Sequence, residues 1–119
     1  MIITGALLAE SASVVDNKLN VTGGVVSKCR AGQERICNPM LVVLLSSEPG
    51  ETSATIDLTV TGPAGGPQHA QVPVAEASLG GEVGFMLLPL ALAVPVDGRY
   101  LISVGAAGGS IELPLEVMG

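Results

Sequence analysis

The stretch RYLISVGAAGGSIELPLEV, residues 99–117, consists of two alternating apolar runs joined by the glycine pair Gly108–Gly109. In the first run, Tyr100, Ile102 and Val104 share one face. The second run contains four such residues: Ile111, Leu113, Leu115 and Val117. Alternation with a period of two is typical of half-buried strands, and paired glycines favour the positive φ angles of a two-residue turn. The stretch therefore predicts an antiparallel hairpin with one face in the core.

Two prolines predict which strands lie at sheet edges. Pro114 interrupts the second run, and Pro73 interrupts the short run AQVPVAEA. Because proline has no N–H to donate to a ladder, we expect both strands at the edges of their sheets. PMLVVLLSSE, residues 39–48, is instead apolar on both faces, which is typical of a central strand or of a strand in an interface.

Further runs predict the remaining strands. TIDLTVTG alternates, with Ile56, Leu58 and Val60 facing inward. GFMLLPLALAVPV is a long apolar run in which five residues share a face: Leu88, Leu90, Leu92, Val94 and Val96. At the start of the chain, residues 2–15 predict a long strand, DNK a turn, and LNVT the returning strand of a hairpin. The pair Gly23–Gly24 predicts a bulge or close backbone crossing before the strand resumes as far as Arg30.

The spacing of turn residues predicts the fold class. The 119 residues include 16 glycines and 8 prolines, which interrupt the chain about every ten residues, and no stretch shows a capped helical period. We expect a single domain, residues 1–119, that is all-β with seven to eight antiparallel strands. A two-layer sandwich is the predicted architecture, and a small closed barrel is the alternative.

Composition restricts the partners. The net charge is −6, charged residues make up only 13% of the chain, and the aromatic residues are Phe85 and Tyr100. An acidic chain without clustered cations or stacking aromatics is a poor match for nucleic acid. So little charge leaves much of the surface neutral, which favours a homo-oligomer or a complex with another protein.

Neither membrane insertion nor secretion is expected. The longest apolar run, residues 83–96, is broken by Pro89 and Pro95 and is shorter than the roughly 20 residues of a spanning helix. The first residues carry no cationic segment, and an acidic residue follows early, unlike a signal peptide. We therefore expect a cytoplasmic protein in which Cys29 and Cys37 are free thiols, although a disulfide between them would be compatible with a hairpin.

Chemistry-bearing residues form no recognisable motif. His69 is the single histidine and could meet Cys29 or Cys37 only through the fold, and no third or fourth metal ligand stands at a suitable spacing. The eleven acidic residues are scattered over turns and outward strand positions. We predict no catalytic residue, no metal ligand and no cofactor.

Two features are candidates for interaction. SKCRAGQER carries Lys28, Arg30 and Arg35, three of the five basic residues, and such a cationic spot could dock an acidic partner or a sister subunit. A solvated strand end followed by a loop is the simpler interpretation. The second feature is the strand that is apolar on both faces, with the candidate interface residues Met40, Val42 and Leu44.

LLAESASVVDNKLNVTGG, residues 7–24, resembles the opening of a family of small bacterial proteins known only as a domain of unknown function. NPMLVVLL, EPGET and VDGRYLISV are similar to later blocks of that family, so the resemblance spans most of the chain. It implies an immunoglobulin-like or related β-sandwich and supplies no site residues. The chain lacks the aromatics expected after the paired glycines, which argues against ligand stacking.

These observations lead to three functional hypotheses. The first is a non-catalytic β-sandwich module that acts through self-assembly or protein–protein interaction. The alternative is a small carrier or sensor of an apolar ligand held between the sheets. The third is an enzyme that uses His69 with a cysteine.

Overall fold

Strands make up more than half of the chain, and several of them are built on alternating apolar residues. The computed structural model describes residues 1–64, 66–106 and 109–119. In these ranges the strands are β1 (Ile2–Ala9), β2 (Ser11–Val15), β3 (Lys18–Thr22), β4 (Lys28–Arg30), β5 (Ile36–Cys37), β6 (Met40–Ser46), β7 (Thr55–Thr61), β8 (Gln68–Pro73), β9 (Gly84–Pro89), β10 (Leu92–Ala93), β11 (Gly98–Ala106) and β12 (Gly109–Met118). A short 3₁₀ turn covers Glu76–Ser78. None of the described residues forms a helix with the length and hydropathy that crossing a membrane would require.

Eight of the strands form two main sheets. The first sheet has the order β1-β6-β9 and is antiparallel throughout. The second sheet has the order β4-β12-β11-β7-β8, and only the short β4 runs parallel to its neighbour. The hairpin β2–β3 and the pair β5–β10 are separate two-stranded sheets.

The core lies between the two main sheets. The first sheet contributes alternate residues of β6 and the second sheet alternate residues of β11, all at most 3% exposed: Leu41, Val43, Leu45, Tyr100, Ile102 and Val104. On β7, Ile56 and Leu58 are buried and Val60 is partly buried against the same core. The inward positions predicted for β7 and β11 are therefore confirmed. Fully excluding such side chains from water is the main favourable free-energy term of a sandwich.

The predicted all-β, two-layer sandwich is confirmed. Both main sheets are open, and no ladder joins them among the described residues, so the closed-barrel alternative is wrong. The described strands number twelve rather than seven or eight, because short strands also pair outside the main sheets.

The two proline expectations have different outcomes. β8 is an edge strand, as Pro73 predicted. β12 is not, because it lies between β4 and β11. The N–H of Glu116 donates to the Ser27 carbonyl at 2.9 Å, and Pro114, two residues earlier, faces the same side. Since the pairing with β4 begins only at Glu116, the missing N–H of Pro114 falls where β12 has no partner in the ladder.

The N-terminal hairpin was predicted correctly, but the strands around it are shorter. β2 and β3 are joined by Asp16 and Asn17, whose φ values of 52° and 59° are typical of a tight hairpin turn. The long strand predicted for residues 2–15 is broken at Glu10. After the glycine pair the strand resumes only over β4.

The other long run differs from expectation, and part of the predicted C-terminal turn lies outside the described residues. The apolar run of residues 84–96 divides into β9 and the two-residue β10. Val94 and Val96, predicted to share a face, differ in burial, since Val94 is 0% and Val96 39% exposed. The ladder of β11 and β12 extends to the pair Ala106 and Gly109. Gly108, half of the predicted glycine turn, lies outside the described residues.

Gly23 is required by its backbone conformation. Its φ is 66°, its carbonyl accepts the N–H of Glu10 at 3.2 Å, and a Cβ there would lie 2.6 Å from Glu10 side-chain atoms. We expect Gly23→Ala to lower the free energy of unfolding by about 1–2 kcal/mol, the usual cost of a left-handed residue with a side chain. Urea unfolding measures it. Gly32→Ala is the control, because a Cβ on Gly32 meets nothing within 4 Å. Equal losses of unfolding free energy in Gly23→Ala and Gly32→Ala would contradict the special backbone requirement at Gly23.

Candidate functional site

The first sheet has an apolar face that points away from the core. In the register of β1, β6 and β9, Leu7, Val42 and Leu87 lie side by side, as do Gly5, Leu44 and Phe85. These positions alternate with the core residues and so lie on the opposite face of the sheet. We call this surface the outer face; its strand residues carry no charge: Gly5, Leu7, Ala9, Met40, Val42, Leu44, Phe85, Leu87 and Pro89.

The β2–β3 hairpin lies against one part of the outer face. β2 contacts β6, and Gly24, which follows β3, has the side chains of Val21, Leu7 and Ala9 around it. Ala9 and Val42 are consequently 0% and 1% exposed although neither belongs to the core between the sheets. The hairpin thus covers the outer face near β1 and leaves the β9 side less covered.

An open groove separates the tip of the hairpin from the start of β9. It has a volume of about 570 Å³, and its apolar lining includes Val14, Leu79, Val83 and Phe85. Val14 is 52% exposed and Val83 is 91% exposed, so large apolar side chains face solvent on both sides of the groove. Exposed apolar side chains grouped around a groove mark binding sites more often than isolated apolar residues do.

The three apolar candidates from the sequence lie on this face but differ in accessibility. Met40 is half-buried and Leu44 is 39% exposed, whereas Val42 is buried in the part of the outer face that the β2–β3 hairpin covers. Only Leu44 and part of Met40 are therefore available to a partner. Sequence reasoning missed Phe85 and Leu87, which lie beside them on β9. The signal was present in GFMLLP, which is apolar on both faces, but only the face that contains Leu88 was singled out.

The three basic candidates do not form one cluster of free charges. Lys28 and Arg30 are exposed on β4, where they alternate with the inward Cys29. Arg35 is occupied: its Nη2 donates to Asp97 Oδ1 at 2.8 Å and its Nε donates to the Val94 carbonyl at 2.9 Å. The function of Arg35 in this structure is to attach the segment before β5 to the segment after β10.

The Arg35–Asp97 pair predicts a small pH dependence. The hydrogen bond from Arg35, followed by that from the Gly119 backbone N–H, holds the pKa of Asp97 below its ordinary value. Its contribution to stability is therefore fully present above the ordinary pKa of aspartate, about 4, and is lost as pH falls through the lower folded pKa. We expect Asp97→Asn to flatten the acid limb of thermal stability measured below about pH 4. An unchanged acid limb would contradict this.

The cysteines are joined rather than free. Cys29 and Cys37 form a disulfide with a Cα–Cα distance of 6.5 Å, which corrects the free-thiol prediction. Cys29 lies on β4 and Cys37 on β5, so the bond links the second sheet to the β5–β10 pair. A sulfur in a disulfide is not a thiolate nucleophile. His69 is the other residue of the enzyme hypothesis. Its Nδ1 lies 3.0 Å from Oγ1 of Thr59, a residue of β7, and forms a hydrogen bond with it.

The fold and this surface define the class: a two-layer, all-β sandwich with an uncharged apolar face outside its core. No protein-family model, curated protein or solved structure matches the chain significantly. The resemblance to a bacterial family of unknown function stays a prediction.

Proposed function

We propose that this protein is a non-catalytic β-sandwich module that acts by binding protein through the outer face of the first sheet, in the first place a second copy of itself. The observation that carries the proposal is the uncharged outer face, together with the exposed Val14 side chain of the hairpin that lies against it. Burial of apolar surface is the dominant favourable term in association, and a face without charge has little to desolvate at a cost.

The amount of exposed surface supports a partner. The chain of 11.9 kDa exposes 6808 Å², whereas a folded monomer of this mass exposes about 6,000 Å². The chain is elongated, 45 × 30 × 18 Å, and therefore presents more surface to a partner than a compact domain of the same mass. The radius of gyration, 14.6 Å, also exceeds the value of about 13.5 Å for a compact domain of this length.

A matched pair of hairpin variants tests the proposal. Val14 pairs with Leu19 on the face that lines the groove, and Val15 pairs with Lys18 on the opposite face. The two valines are 52% and 55% exposed, so aspartate at either position leaves the core intact. We expect Val14→Asp to weaken self-association by about tenfold or more, because a charge would be buried in the interface, and Val15→Asp to have little effect.

Light scattering across a concentration series measures both variants. Equal behaviour of the two variants would contradict the use of the groove side of the hairpin. A wild-type protein that stays monomeric at every concentration would overturn self-association itself.

An apolar ligand in the groove is the second candidate function. The groove beside Phe85, Leu79 and Val83 favours it, although it lies outside the sandwich and not between the sheets, as the sequence had suggested. Native mass spectrometry of the gently purified protein distinguishes self-assembly from binding of an apolar ligand. Integer multiples of the chain mass support self-assembly, and a small added mass supports the ligand.

The cytoplasmic location predicted from the sequence is a separate matter. The Cys29–Cys37 disulfide argues against it, because persistent disulfides form mainly in oxidising compartments and small cytosolic proteins are kept reduced. We therefore propose an oxidising location, or an oxidising environment met during the life of the protein.

A further inference from the structure

We infer that two copies of this chain assemble through antiparallel pairing of their β9 strands, which joins the two first sheets into one six-stranded sheet with Met86 on the two-fold axis. This inference rests on the self-association part of the proposed function, and it places the contact at the β9 edge of the first sheet, beside the groove that borders the outer face. The outer faces of the two copies would then be continuous across the new strand pair.

The free edge of β9 follows from the ladder with β6. Met40 faces Pro89 in the register, and the N–H of Leu90 donates to the Pro39 carbonyl at 3.0 Å. Bonded and non-bonded pairs alternate in an antiparallel ladder, so the main-chain groups of Gly84, Met86 and Leu88 face β6. Those of Phe85 and Leu87 face the open side, where β9 has no ladder partner among the described residues.

Two copies of this edge are complementary to each other. With Met86 opposite Met86, Phe85 of one copy stands opposite Leu87 of the other, and each such pair exchanges two N–H···O bonds. The symmetric arrangement satisfies both outward N–H groups in each copy, as a two-fold interface requires. Pro89 has no N–H on that side and limits the pairing to this short stretch.

The other three edges of the main sheets are less suited to self-pairing. β4 has three residues, two of which are Lys28 and Arg30, so self-pairing would bring like charges together. β1 has a register shift between Ile3 and Gly5, and such irregularities block edge pairing. β8 is polar and almost fully exposed over QHAQ. β9 alone among them combines a regular ladder with four apolar side chains in sequence, FMLL.

Side-chain burial supports the same edge. All residues of β9 except Pro89 are only half-buried, although Phe85, Met86, Leu87 and Leu88 are large and apolar. In the dimer, Phe85 packs beside Leu87 of the second copy on the outer face, and the two Met86 side chains meet on the inner side. An apolar edge strand left open is an association site in itself.

Amide hydrogen exchange of the full chain, measured by NMR at low and high protein concentration, tests the inference. We expect the Phe85 and Leu87 amides to exchange about tenfold or more slowly when the protein is dimeric. The Met86 and Leu88 amides, which already face β6, should be protected at both concentrations and serve as internal controls.

Cross-linking is the second measurement. Met86→Cys places two thiols opposite each other within the Cα range of a disulfide, whereas Leu88→Cys places them four residues apart in register. We expect oxidation to cross-link the first variant and not the second. A dimer without this exchange pattern and cross-link overturns the β9 geometry and leaves the proposed function standing. A monomer at every concentration overturns the β9 geometry together with the self-association part of the proposed function.

Discussion

Replacing Ile102 with alanine is expected to lower the free energy of unfolding by about 3–4 kcal/mol, the largest loss we expect from any single substitution considered. Ile102 is 0% exposed at the centre of β11, between Leu113 of β12 and Val60 of β7 in register. Truncation removes three carbons from the contact between the sheets and leaves a cavity that the neighbouring strands fill only in part. Urea unfolding followed by circular dichroism measures the loss.

Leu101→Ala is the matched control for this prediction. Leu101 is the preceding residue of the same strand and lies on the opposite face of the second sheet, where it is half-buried. We expect it to cost about 1 kcal/mol. If Leu101→Ala cost as much as Ile102→Ala, the assignment of the inward face of β11 would be wrong.

Removing the disulfide, with Cys29→Ala and Cys37→Ala combined, is expected to cost about 2–3 kcal/mol. The cysteines are 8 residues apart, and closing so short a loop lowers the entropy of the unfolded chain by roughly this amount in free energy. The folded structure of the double variant should be retained, since Arg35 still holds the segment before β5 through Asp97 and Val94.

A reductant provides the control for the disulfide prediction. Dithiothreitol should lower the melting temperature of the wild-type protein and leave that of the double variant unchanged. Thiol labelling of the unfolded, unreduced wild type should detect no free cysteine. Two labelled thiols and equal stability of the two proteins would contradict the disulfide.

Local features of the chain predicted much of the sandwich. The inward residues of β11 and β7 followed from alternation, and the first hairpin followed from the turn residues Asp16 and Asn17. Both signals act within a few residues, because alternate side chains of a strand point to opposite faces and Asp and Asn tolerate positive φ.

The candidate surface was only partly predictable. The apolar character of both faces of β6 indicated a second buried or interface surface, but it did not reveal that the β2–β3 hairpin lies against Val42 and leaves Leu44 exposed. The contribution of Phe85 was missed because a run that is apolar on both faces does not show which neighbour, if any, covers each side.

The sequence by itself determined the all-β class, the turn of the first hairpin and the sides of β7 and β11 that face the core. Only the tertiary structure decided which strands are neighbours. β12 lies inside its sheet because β4 pairs with it, and β9 lies at an open edge. The same tertiary contacts bring Cys29 and Cys37 together in a disulfide. The physical reason is that side-chain alternation and turn chemistry depend on adjacent residues. Strand partners instead depend on contacts between segments far apart in the chain, whose free energies are comparable for many pairings until the whole core is assembled.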